Sequence, residues 1–421
     1  MCGKSSRISG FYRLTPKERL DLVKEFAGLT EEEVKIVQST GALSIDDANR
    51  MVENVIGVMQ VPLGIAVNFL INGKDYMIPM AIEEPSVIAA ASNAAKMARI
   101  KGGFFASTEG SIMIGQIQIV DIIEAYRTKE LILSAKDEIL KKANEHDPLL
   151  ASLGGGAKDL DVKIINTFVG PMVIVELHVD CKDAMGANLV NTMTEAVAPL
   201  IERITGGRVL MRIVSNLAIK RLARAKAVFD KKAIGGEEVV DGIIKGYAFA
   251  LADPFRCATH NKGVMNGIVA IALATGNDTR AIEAGAHAYA SRTGRYMPLT
   301  AWERDKDGNL VGSIELPLAV GIVGGTTKVN PIAKTALKIL KVKSASELAE
   351  VMASAGLAQN FAALRALVTE GIQRGHMKLH ARNVAVMAGA KGELIDRIAQ
   401  MMIEKSEVRV DKARELLKEF L

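Results

Sequence analysis

The chain has 421 residues, 49% hydrophobic and only 4% aromatic, enough apolar material for two or three domains with real cores; a disordered or fibrous chain is excluded. Its net charge of +5 is small for this length and no long Lys/Arg run carries it, so no nucleic-acid footprint is indicated. The scattered Cys2, Cys181 and Cys257 make no CxxC pair, which excludes a disulfide framework and a cysteine zinc site. No signal peptide opens the chain and no apolar run approaches a membrane span, so a soluble, cytoplasmic protein is expected.

In chain order, residues 1–14 form a basic arm carrying Arg13, with no clear periodicity. Thr15-Pro16-Lys17-Glu18 and Thr30 with Glu33 each start a helix with a capping box. The runs Leu63 to Ile71 and Lys74 to Ile82 predict strands, with Asn72-Gly73 as a hairpin turn between them. Glu83-Glu84-Pro85-Ser86 follows, then a small-residue helix up to Gly102-Gly103. Two readings of the paired acids stand open: charges favoured by the helix N-terminus, or a cleft carboxylate that exchanges protons.

From 110 to 216 the pattern reads β-α-β-β-α-β, the ferredoxin-like split unit. Its strands are expected at Ser111–Val120, Leu160–Val169, Met172–Asp180 and Arg208–Ser215, with a turn at Gly170-Pro171. Its helices are expected at Asp121–Ala143 and Met185–Ile204, the second opening with Asp183-Ala184-Met185-Gly186-Ala187-Asn188. A glycine and small residues there permit close approach of an anion such as a pyrophosphate, or form an ordinary Asp cap. Gly154-Gly155-Gly156 is a weak phosphate-loop signal, and neither a Rossmann fingerprint nor a P-loop is present.

Asp253 to Asp278 sets Arg256, His260, Asn261, Lys262, Asn266 and Asp278 among Gly263, Gly267 and Gly276. That density of polar residues beside glycines is unlike a solvated helix face. It predicts polar groups held where backbones pack closely: a functional site, with an enclosed Lys262 near an Asp as electrophile for an oxyanion, or else a structural turn. Helices are expected at Ser346–Ala355 and Ala358–Thr369, then Gly375-His376-Met377-Lys378-Leu379-His380, whose histidines lack a third metal ligand. The last forty or so residues read as a helical lid.

ENVIG at 53–57, EEPS at 83–86, DAMGAN at 183–188, THNKG at 259–263, ATGND at 274–278 and GHMKLHARN at 375–383 occur together in this order. This set resembles 3-hydroxy-3-methylglutaryl-CoA (HMG-CoA) reductase, in its soluble bacterial and archaeal class, over nearly the whole chain. The resemblance implies an α+β fold: a large mixed substrate-binding domain (1–109 and 217–374), a ferredoxin-like dinucleotide domain (110–216) inserted in it, and a C-terminal helical flap (375–421). It implies interconversion of HMG-CoA with mevalonate and coenzyme A by two hydride transfers, through a mevaldyl-CoA hemithioacetal and mevaldehyde. The same resemblance assigns oxyanion stabilisation to Lys262, proton exchange to Glu84, tuning of both to Asp278, and protonation of the CoA thiolate to His376. It assigns Ser86, Arg256 and Asn266 to the hydroxymethylglutaryl group and Arg13 to the CoA phosphate. Asp183, Met185, Gly186 and Asn188 would hold NAD(H) or NADP(H); no metal, nucleic acid or membrane is implied. A homodimer, or an assembly of dimers, with the active site between subunits is implied too. Ile219 and Lys220 stand where some NAD-preferring relatives carry an Asp, which favours dual or NADP use. Two other readings remain: an oxidoreductase of a related CoA thioester, and an RNA-binding protein with a KH-like GxxG loop at 389–395.

Overall fold

A computed structural model of the chain describes residues 5–369 and 371–420, the side chains at 328 and 372–379 excepted. Two sheets organise it. The larger has six strands in the order β2-β1-β3-β8-β10-β9: β1 (Leu63–Ile71), β2 (Lys74–Ala81), β3 (Phe104–Thr108), β8 (Leu222–Phe229), β9 (Thr300–Arg304) and β10 (Leu310–Pro317). The smaller has the order β5-β6-β4-β7: β4 (Ile112–Val120), β5 (Gly156–Thr167), β6 (Gly170–Asp180) and β7 (Arg208–Ser215). Every pair in the small sheet is antiparallel, and two crossovers give the ferredoxin-like order. The fold is α+β, with the small sheet inserted between β3 and β8 of the large one.

Local chemistry explains where elements start and turn. Both capping boxes form: the Thr15 hydroxyl accepts from the Glu18 N–H at 3.3 Å while Glu18 Oε2 accepts from the Thr15 N–H at 2.7 Å, and Thr30 with Glu33 repeats the pattern. Asn72 and Gly73 both take positive φ (49° and 76°), the geometry that joins β1 to β2 in two residues.

The core lies where two long helices cross over the large sheet. Gly267 in the Pro254–Ala274 helix and Gly356 in the Ala345–Val368 helix permit the crossing: a Cβ at Gly267 would sit 2.9 Å from the Ala355 carbonyl oxygen, and one at Gly356 2.8 Å from Ile268 Cδ1. Beneath them Phe229 stacks on Phe361 at 3.8 Å between centroids, with Trp302 tilted against both. Each such fully buried apolar side chain contributes about 1.5–3 kcal/mol. The Ala345–Val368 helix is long and apolar enough to cross a membrane, yet 67% of its most apolar window is buried inside the fold, as suits a core helix.

Several expectations change. The helices expected at Ser346–Ala355 and Ala358–Thr369 are one, because Gly356 serves packing instead of termination. Asp121–Ala143 is two helices, Ala125–Ser134 and Lys136–Asn144. The β5–β6 turn is Phe168-Val169, and Pro171 lies inside β6 opposite Asn166, beyond the last β4 pairing at Val173 where no donor is needed on that side. The 154–156 glycines serve packing: Asn144 exchanges hydrogen bonds with the Ala157 backbone beside them, and a Cβ at Gly155 would strike Leu150. After Ile372–Met387, the helices Leu394–Glu404 and Val410–Lys418 close on their own core of Ala381, Val384, Ile398, Met402, Ala413 and Leu416. The 389–395 loop joins two of these helices, with no strand after Pro317 among the described residues, so it lacks the sheet a KH module is built on.

Candidate functional site

Glu84 follows β2 in the loop before the Val87–Ala98 helix, and Lys262 lies mid-way along the helix that packs on β2. Their side chains meet: Lys262 Nζ donates to Glu84 Oε2 at 2.7 Å. Lys262 is 59% exposed and Glu84 34%, so the expectation of an enclosed lysine is corrected. A lysine at that depth needs no burial partner, and the acid it meets is Glu84. Ser86 caps the following helix at φ 75°, ψ −18°, a strained conformation for a residue other than glycine. Its carbonyl accepts from Ala90 N–H at 2.8 Å.

Glu84 and Ser86 open onto a cleft of about 1280 Å³ whose walls bring Arg7, Arg13, Lys17 and Lys96 to the same space. Arg13 is exposed, with its guanidinium over the Tyr12 ring at 5.4 Å and its Nε donating to the Tyr12 hydroxyl. The cleft thus joins a carboxylate–ammonium pair to a basic wall suited to an extended anion. Lys96, Ser92 and Asn93 were not singled out from the sequence; a lone cation within the small-residue run at 89–98 was the available signal.

Behind Lys262 the same helix is locked. Thr300 donates its hydroxyl proton to Asn360 Oδ1 at 2.9 Å, so His260 Nε2, 2.7 Å from Thr300 Oγ1, must be the donor of that pair. Trp302 Nε1 also donates to Asn360 Oδ1, and Asn360 Nδ2 donates to the His260 carbonyl. Asn261 receives Leu299 N–H and donates to Met297 O. Burial holds the His260 imidazole neutral, pushed down to about 4. Asn360 has no counterpart in the sequence reading, because it lies a hundred residues from its partner.

Asn266, four residues on from Lys262, shares its helical face and is half-buried. Arg256, six residues before, lies about 120° around the axis. It is half-buried, and desolvation lowers its guanidinium from the ordinary value. Asp278 stands apart. Its carboxylate caps the Thr279–Ala290 helix and pairs with Arg280 at 2.9 Å. Twelve residues of helix, about 18 Å of rise, separate Lys262 from the helix end at Ala274 beside it. The His376 side chain lies outside the described residues; its backbone belongs to the Ile372–Met387 helix.

The DAMGAN stretch is the seam between the two sheets. Arg221, almost wholly buried, donates to the carbonyls of Ala184, Met185 and Val320 at 3.1, 2.9 and 2.9 Å. Asp183 Oδ1 accepts from Ala345 N–H at 2.8 Å, and Asn277 Oδ1 accepts from Gly321 N–H at 2.8 Å. Gly186 sits at the helix N-cap with φ 99°, where a Cβ would lie 2.2 Å from Cys181 Sγ. It supplies no capping side chain, so the first-turn N–H groups of the 19-residue helix Ala187–Thr205, beside exposed Asn188, are available to an anion. These features fit a dinucleotide pyrophosphate.

A family model described as hydroxymethylglutaryl-coenzyme A reductase matches residues 15–381. The chain is 65% identical over 413 residues to the 3-hydroxy-3-methylglutaryl-coenzyme A reductase of Archaeoglobus fulgidus, covering 98% of this chain and 94% of that one. It is 37% identical to a probable reductase of the same name from Borreliella burgdorferi, over 82% of this chain and 80% of the other. Among solved structures, the class II reductase of Streptococcus pneumoniae bound to NADPH in open conformations superposes with a TM-score of 0.82 at 41% identity, covering 97% of this chain and 100% of that one.

Proposed function

The chain belongs to the hydroxymethylglutaryl-CoA reductase family, and from that premise we infer that it interconverts HMG-CoA and mevalonate plus coenzyme A at the Glu84–Lys262 pair. The observation that carries the reading is that pair, whose Glu84 lines a cleft shared with Arg7, Arg13, Lys17 and Lys96. A nicotinamide cofactor, when bound, supplies and accepts the hydride in each of two steps. Lys262 Nζ stabilises the oxyanion that forms as the thioester carbonyl, and later the aldehyde carbonyl, is reduced. Glu84 returns the proton to that oxygen. The departing CoA thiolate takes its proton from His376, which prevents it from adding back to the aldehyde.

Arg13, with Arg7 and Lys17 along the same wall, takes the CoA phosphates, while Ser86, Arg256 and Asn266 hold the hydroxymethylglutaryl group. Arg256 suits the terminal carboxylate because its fork is bidentate. Asp183, Met185, Gly186 and Asn188 form the cofactor seam. Lys220, with Ile219 in place of an acid, favours a 2′-phosphate, so NADP(H) is used and NAD(H) is tolerated. Because Asp278 of the same chain is held at another helix, the acid that completes the Glu84–Lys262 pair is the Asp278 of a second copy. The working enzyme is then a homodimer, or an assembly of dimers, with each site shared. Free buried thiols at Cys181 and Cys257 suit a reducing cytoplasm.

Absorbance at 340 nm with purified protein, mevalonate, CoA and either NADP or NAD tests the reading. A CoA-dependent rise, faster with NADP, is expected. No rise with either cofactor from folded protein contradicts it.

A further inference from the structure

The open face of the small sheet carries a cluster that the reductase reading does not use. Glu176 and His178 are two apart on β6 and so point to the same face, and Asp161 lies directly opposite Glu176 on β5. One ligand atom from each lies within 4.8 Å of the other two. His178 is 2% exposed, and its Nε2 is buried without a hydrogen-bond partner. That nitrogen faces Asp161 Oδ2 at 3.5 Å, just too far for a hydrogen bond. Glu176 is also buried; its Oε1 receives Gln116 Nε2 at 3.1 Å, and its Oε2 meets Lys163 Nζ at 2.6 Å.

We propose that Asp161, Glu176 and His178 bind a divalent transition-metal ion of the Zn²⁺ type, bracing β5 to β6 on the face of the small sheet opposite its helices. Four ligands at metal distances of about 2.0–2.1 Å stand about 3.3 Å apart at the corners of a tetrahedron, close to the His178–Asp161 separation already present. The remaining atoms, within 4.8 Å, close in by at most about 1.5 Å through rotation of two carboxylates, with water as fourth ligand. One imidazole with two carboxylates selects Zn²⁺, Co²⁺ or Mn²⁺ over Mg²⁺ or Ca²⁺, which prefer all-oxygen shells. Strand placement makes the triad rigid, since ligands at i and i+2 with a cross-strand third move only with the sheet. Lys163 is the built-in competitor: the ion displaces its ammonium from Glu176. Exposed Asp161 is the entry side.

The test uses the full chain with Cys2→Ser to remove the thiol not accounted for by buried Cys181 and Cys257. Protein stripped with EDTA is dialysed against micromolar Zn²⁺ and its bound metal counted; Co²⁺ is titrated in parallel and its visible bands recorded. One Zn²⁺ per chain, Co²⁺ bands of a low-symmetry site, and a Zn²⁺-dependent rise in Tm are expected. Affinity falls by about tenfold or more in His178→Gln and in Asp161→Asn, the latter an exposed change that leaves the fold intact. Lys163→Met binds at least as tightly as the parent, because the competing ammonium is gone. Absence of stoichiometric metal in the parent, or equal binding in Asp161→Asn, overturns the proposal and leaves only a His178–Asp161 contact between the two strands.

Discussion

His260, Asn261 and Lys262 are consecutive on one helix, yet they belong to opposite regions of the molecule. The first two are sealed in a polar lattice with Thr300, Trp302 and Asn360 in which almost every donor has a partner. The third is exposed and meets one carboxylate, that of Glu84, which lines the cleft. The lattice is rigid because a lost hydrogen bond there leaves a buried group unsatisfied; the pair is adaptable because water screens it. A reductase needs both. The ammonium must be aimed without being spent on structure, so the residues beside it in sequence hold the helix and leave it free.

Replacing each region in turn should break different properties. Lys262→Ala is expected to lower kcat by about 10²–10³, the loss seen when an oxyanion donor is removed, with Tm unchanged because an exposed ion pair contributes about 0–1 kcal/mol. Steady-state rates and thermal melts on the same sample check both halves. Asn360→Ala inverts the pattern. It strands the Trp302 indole N–H, the Thr300 hydroxyl and the His260 carbonyl, and should cost about 3 kcal/mol in urea denaturation.

Acid should act strongly on the lattice. The His260 imidazole is held down to about 4 from an ordinary 6.5, so between those values the unfolded chain binds more protons than the folded one. Stability is therefore undiminished above pH 6.5 and falls as the pH drops through this window, by about 2 kcal/mol at pH 5. Urea midpoints at pH 7 and pH 5 measure it, and a His260→Asn chain should lose that share of the slope while the part due to buried His178 remains. The smallest effect is expected from Gly356→Ala, whose Cβ would meet Ile268 Cδ1, the end of a flexible side chain. About 1 kcal/mol of stability should be lost with kcat unchanged.

The same contrast explains what the sequence made legible. Capping boxes, the Asn72-Gly73 turn and the β-α-β-β-α-β run are local, and each appears where its residues are. Glu84 and Lys262 could be singled out by their motifs, but only the family resemblance brought them together, because their meeting depends on how a helix lies on β2. The glycines of the central stretch did mark close packing, at Gly267 and at the Gly276 turn, while a Cβ at Gly263 would find ordinary space. Arg221, the sequence neighbour of Lys220, carried no signal of its own; in the fold it is buried and donates to three carbonyls of the seam. Short strands such as β3 and β9, five residues each, carry too little alternation to be seen before their neighbours are known.

Chain complementation tests the central claim most directly: that Lys262 of one copy works with Asp278 of another. Lys262→Ala and Asp278→Asn chains, each with only residual activity alone, are mixed in equal amounts, unfolded and refolded together. With shared sites, half the dimers are mixed and each has one intact site, so activity should return to about a quarter of the parent enzyme. If both residues served the same site from one chain, every mixed dimer would be dead and no activity would return.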